Sequence, residues 1–192
     1  ITLDLRGASS EANQLNAVLS NSTGTNTPVL NLQKSDGGTW ILNPAAANTF
    51  TGSITAAGGN LGLTANGIGA ASGITISNGA IFAFGGALST NKPISWANNT
   101  TAIFSGQHPI TITANVTAVA GDNDQTFSNN LEGGALLTIT GSGFRRSTGL
   151  KVRHFLKWME AECAQKVSFR CVLGVFCDSV VFEVLSKLET AR

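Results

Sequence analysis

The chain is expected to be all-β, a parallel β-helix over residues 1–144 followed by a non-repetitive tail, residues 145–192, with helical spacing. Three observations carry this. Two apolar tracks share a period: Ile54, Ile74, Ile94 and Ile112 at steps of 20, 20 and 18, and Ile41, Leu61, Ile81 and Ile103 at steps of 20, 20 and 22. Between them lie Gly- and Asn-rich corners, and both tracks end near Phe144. A fixed period of about twenty is the mark of a solenoid, in which each repeat buries its apolar face against the next. An antiparallel sandwich has no reason to repeat a residue type at one phase.

The elements follow in order. Residues 1–5 alternate apolar and polar, as do 29–32. Residues 10–19 read either as a helical turn or as a lateral loop with a short strand. Asn13 and Asn16 favour the loop and strand, because asparagine is poor in a helix interior. The strand runs are then 39–42, 49–55, 60–64, 74–77, 81–84, 93–96, 102–104, 110–116 and 135–140. Corners are marked by Asp36-Gly37-Gly38, Gly58-Gly59-Asn60, Asn66-Gly67, Asn78-Gly79, Gly85-Gly86 and Gly133-Gly134. Gly and Asn tolerate the positive φ of sharp turns. Six to seven coils at strand spacing give a rod of roughly 30 Å. Such a rod has open edges, and the body shows no cap at its start.

Composition divides the chain at the same place. Residues 1–144 hold three basic side chains (Arg6, Lys34, Lys92) and six acids (Asp4, Glu11, Asp36, Asp122, Asp124, Glu132), a net charge of −3, against +4 for the last 48 residues. Seventeen asparagines precede residue 145 and none follow, glycine falls from twenty to two, and all three cysteines lie in the tail. A body solubilised by amides and hydroxyls suits an exported protein. The chain opens directly on a strand-like Ile1-Thr2-Leu3 with no initiator Met or secretory signal, which reads as a fragment of a longer protein. No stretch has the apolar length of a membrane-spanning helix.

Lys34-Ser35-Asp36-Gly37-Gly38-Thr39-Trp40-Ile41-Leu42-Asn43, then Ala47-Asn48-Thr49-Phe50-Thr51-Gly52-Ser53-Ile54-Thr55 and Gly59-Asn60-Leu61-Gly62-Leu63, resembles the autotransporter-associated β-strand repeat. Ile74-Thr75-Ile76-Ser77-Asn78-Gly79-Ala80-Ile81-Phe82-Ala83-Phe84 matches the next strand pair. The specific likeness covers residues 29–88, with Phe50 where the family usually has Tyr. The resemblance implies a right-handed parallel β-helix from a bacterial passenger domain, extracellular or on the outer-membrane surface, with a stalk-like, non-catalytic role. It also implies an outer-membrane translocator barrel as partner in the parent protein; this chain contains no such barrel.

Sites of chemistry are weakly signalled. Gly121-Asp122-Asn123-Asp124 is the one acidic pair of the body, and it lacks the oxygen count that calcium needs. Six scattered acids do not suggest the paired carboxylates of a polysaccharide hydrolase. His108 precedes Pro109 in a turn and has no assignable nucleophile. Gly67-Ile68-Gly69 lacks the strand-to-helix context of a phosphate cradle. Asn98-Asn99-Thr100-Thr101 and Asn115-Val116-Thr117 match glycosylation acceptors, a pattern that arises by chance in an Asn- and Thr-rich chain. Trp40 and Trp96 either stack on sugars or pack in the core, and packing is favoured. No catalytic residue, cofactor, metal site or nucleic-acid partner is expected. Cell-surface glycans or other cells are the partners an adhesive module would take. Stalk, adhesive or carbohydrate-binding module, and polysaccharide-active enzyme are the functional readings, in that order.

In the tail, Val152, Phe155, Leu156, Met159 and Cys163 fall at helical spacing. Cys163, Cys171, Cys177 and His154 are metal-ligand types whose gaps match no zinc pattern. The tail reads either as a helical cap or interaction segment, or as an out-of-frame translation beginning near residues 142–147. The simultaneous collapse of Asn, Gly and Thr favours the second. Translating the coding DNA in its other two frames separates the two: the Asn/Gly/Thr-rich pattern resumes beyond residue 145 only if the frame is wrong.

Overall fold

The computed structural model describes residues 1–9, 11–24, 27–97, 100–118 and 126–141. The tail, with its helical spacing and its Cys163, Cys171, Cys177 and His154, lies outside them, as do Gly121–Asp124 and the Asn98-Asn99 acceptor.

The chain winds through six levels. The first carries β1 (Thr2–Leu5) and β2 (Ala12–Leu15), the second β3 (Asn31–Lys34) and β4 (Thr39–Leu42). The third carries β5 (Ile54–Ala56), β6 (Asn60–Leu63) and a four-residue helix α1 (Ala65–Ile68). Levels four to six each add a third strand: β7 (Ile74–Ile76), β8 (Ala80–Ala83), β9 (Leu88–Thr90); β10 (Ile94–Trp96), β11 (Thr101–Gly106), β12 (Ile110–Ile112); and β13 (Val116–Ala118), β14 (Thr126–Leu131), β15 (Leu137–Ile139). Face A is the sheet β1-β3-β5-β7-β10-β13, face B the sheet β2-β4-β6-β8-β11-β14, and face C the shorter sheet β9-β12-β15. Every strand pairing among the described residues is parallel. The protein is a parallel β-solenoid.

Stacked apolar columns hold the levels together. On face A, Leu32, Ile54, Ile74, Ile94 and Val116 pair in register and are all buried. Face C contributes Leu88, Ile110 and Leu137, and face B contributes Leu61, Ile81 and Phe104. Strands of three residues read buried, half-buried, buried, so the middle residue faces solvent. On face A that outward row is Gln33, Thr55, Thr75, Ser95 and Thr117, with the Thr75 and Ser95 hydroxyls 3.2 Å apart.

Three expectations are corrected by this register. Residues 110–116 are not one strand: Thr113 donates its N–H to Thr90 O at 2.9 Å, the chain turns at Ala114 and Asn115, and β12 and β13 lie on different faces. The partner of Ile94 is therefore Val116, 22 residues on, and Ile112 belongs to face C beneath Thr90. Within the second track, Leu61 pairs with Trp40, and Phe104 with Ile81. Ile41 and Ile103 consequently point outward. Ile41 is nonetheless buried, because Gly62 leaves room for the Phe82 ring: a Cβ on Gly62 would lie 2.6 Å from that ring and 2.9 Å from Ile41. Finally, of residues 49–55 only Ile54 and Thr55 are in a strand, and the Asn66-Gly67 corner is the helix α1, capped by Thr64 Oγ1 accepting from Gly67 N at 2.9 Å.

The third side of levels one to three has no strand among the described residues but remains bonded. Asn48, 2% exposed, accepts from Leu19 N at 2.7 Å through Oδ1 and donates to Gly67 O at 2.7 Å through Nδ2, bridging level one to level three. Phe50 beside it is fully buried, and a Cβ on Gly52 would fall 2.1 Å from Leu30 O. The Ala-Asn-Thr-Phe-Thr-Gly phrase is thus a packed corner in which three residue types are fixed by space and hydrogen bonding.

Lys34 occupies an interior position between Leu5 and Ala56 in register and is 0% exposed. Its ammonium donates to the carbonyls of Ser35, Asp36 and Gly58 at the corner. Burial pulls its pKa below the ordinary 10.5, opposed by the charges of Asp36 and Asp4. With the folded-state pKa depressed, the unfolded chain binds more protons in the interval between that value and 10.5, so stability rises with pH across it. The urea midpoint of the wild type is expected to climb over this interval relative to Lys34→Met. Parallel profiles for the two proteins would refute the assignment.

Candidate functional site

Where α1 replaces a face-C strand, the third side has a step. β9 begins face C one level below, and its sheet gives it a single neighbour, β12. Leu88 N donates to Pro109 O and Thr90 O accepts from Thr113 N, both at 2.9 Å, so these two residues turn their backbone toward β12. Alternation then directs the N–H and C=O of Ser89 toward the α1 side, where no backbone group among the described residues bonds them.

The step encloses an open groove of about 260 Å³ lined by Ala65, Ile68 and Gly69 on the α1 side and by Ser89, Thr90, Asn91, Lys92 and Thr113 on the other. Three of these are fixed. Thr90 Oγ1 accepts from Lys92 N at 3.1 Å, which shapes the corner after β9, and Thr113 Oγ1 donates to Thr90 O at 3.2 Å from the level below. Gly69 has φ 50° and sits against Asn48 O, where a Cβ would approach to 2.1 Å, so this wall cannot take a side chain. Among the described residues no carboxylate lines the groove.

The three basic residues of the described body differ in their surroundings. Arg6 pairs with Asp4 at 2.6 Å, a contact that holds the Asp4 carboxyl below its usual range. The Lys34 ammonium is consumed by carbonyls. Lys92, half-buried, forms no ion pair among the described residues.

No family model matches the chain, and no curated protein or solved structure matches it.

Of the residues weighed from sequence, Ile68 and Gly69 line the groove and the others described fall elsewhere. Trp40 is half-buried and donates Nε1–H to Arg6 O at 2.9 Å, and Trp96 is 2% exposed in the interior column of face A, so both pack. His108 is exposed in the turn before β12. Asn115 is exposed, and its backbone carbonyl accepts from Ile94 N at 3.0 Å. Gly67 and Gly69 serve the α1 corner, where a Cβ on Gly67 would lie 2.4 Å from Leu42 O. Among the described residues no group of three His, Cys, Asp or Glu side chains could hold a metal ion. Sequence reasoning did not find the groove, because Lys92 is an unremarkable corner lysine until α1 and Thr113 are brought beside it.

Proposed function

We propose that this solenoid is a structural stalk segment of an exported, surface-exposed bacterial protein of the autotransporter type. The observation that carries the reading is the unbroken Leu32, Ile54, Ile74, Ile94, Val116 column with its outward hydroxyl row. Each level contributes the same contact to the next, so length is set by repeat number. The family resemblance of residues 29–88 supplies the placement at the cell surface and the translocator barrel as partner in the parent.

The test is to insert the chain between a surface anchor and an epitope, in forms carrying one fewer or one more level. A stalk gives epitope access that grades with the number of levels. An all-or-none loss of cell or glycan binding on removing one level would instead identify an adhesive module.

A further inference from the structure

We propose that the groove between α1 and β9 is a binding site for a carboxylate-bearing sugar unit of an acidic polysaccharide. This site is independent of the stalk reading. The groove combines Lys92, which has no carboxylate partner among the described residues, with the open backbone edge at Ser89. A backbone N–H directed to the α1 side and a lysine in the lining, with no acid among the described lining residues, favour an anion of carboxylate size.

The remaining lining selects the body of the ligand. Ser89 offers a hydroxyl, Thr113 a hydroxyl oxygen that can still accept, and Asn91 an amide, groups that match a ring bearing several hydroxyls. On the opposite wall the accessible lining is Ala65 and Gly69, a small surface for the C–H face of such a ring, while Ile68 is 3% exposed. A volume of about 260 Å³ lies just under the span of roughly 300–1,000 Å³ common for small-molecule sites, room for one ring in depth. An extended peptide adding to the β9 edge fits less well, because β9 is three residues long and α1 stands over the space a strand would fill. The carboxylate lies toward Lys92 and Ser89 N–H, and the chain continues out of the open side.

Trigalacturonate titrated calorimetrically into the full chain tests the proposal, with maltotriose as the uncharged ligand. Trigalacturonate is expected to bind measurably tighter than maltotriose and to weaken with added salt. Lys92→Gln should weaken it about tenfold and flatten the salt dependence. Ser89→Pro removes the groove-facing N–H without breaking a sheet bond and should also weaken it. Circular dichroism confirms that each variant keeps the wild-type fold. Equal binding of the two sugars, unchanged affinity in folded Lys92→Gln, or tighter binding of a tripeptide through its C-terminal carboxylate would each overturn the assignment. The coil-number dependence of the stalk test does not change in any of these outcomes.

Discussion

Trp96→Ala is expected to destabilise the solenoid by about 3–5 kcal/mol, the range for deleting a large aromatic from a packed core. Trp96 is 2% exposed and sits in register with Ile76 above and Ala118 below; two levels up the same column holds Ala56. Trp96 is among the largest fully buried side chains, so its removal leaves a void beside Ile76 that the solenoid's fixed strand spacing cannot close. The adjacent Ser95 points outward, and Ser95→Ala loses a hydroxyl contact to Thr75 at 3.2 Å, an effect of about 1 kcal/mol or less. Urea unfolding of the pair reads the contrast directly. Because each level rests mainly on its neighbours, the Trp96 variant should also lose amide protection first in levels five and six. Equal midpoints for Trp96→Ala and Ser95→Ala would refute the placement of this face.

Asn48→Ala should cost about 2–4 kcal/mol, because it strands both a buried carbonyl, Gly67 O, and the Leu19 N–H. Asn48→Asp distinguishes geometry from polarity. The carboxylate still accepts from Leu19 N but cannot donate to Gly67 O, and it brings a charge into a position 2% exposed, so it should be no better than alanine. Asn66, whose amide reaches Ala45 O at 3.2 Å at the surface, is the comparison: Asn66→Ala should shift stability by less than about 1 kcal/mol. Thermal midpoints of the three variants measure the difference. A mild effect at Asn48 would mean that the strandless third side of levels one to three is not tied through this residue.

Much of the fold was legible because burial in a solenoid repeats at one phase. Ile54, Ile74 and Ile94 stack in register at steps of twenty. The next step was not legible. Ile74-Thr75-Ile76 and Ile110-Thr111-Ile112 are the same tripeptide, yet one lies on face A and the other on face C. A three-residue strand with buried ends looks alike on any side of the coil. The turn that separates them, Thr113-Ala114-Asn115, contains neither Gly nor Pro, and its single Asn115 is a weak mark in a chain with seventeen asparagines before residue 145. Ile41 misled for another reason: it is apolar and buried but lies on the outer face of its sheet, near the Phe82 ring that Gly62 admits. The groove was invisible because it comes from a strand that is not there. Its residues run from Ala65 to Thr113 and meet only where α1 interrupts face C.

The central claim is that levels are interchangeable units of length, and duplicating residues 74–93 tests it most directly. Ile94 would then stack on the second copy of Ile74 as it now stacks on the first. Small-angle scattering should show the long dimension growing by about 4.8 Å, one strand spacing, with the cross-section unchanged and a urea midpoint at least as high as wild type. A duplicated segment that leaves the rod length unchanged and appears as extruded, unfolded mass would contradict the account.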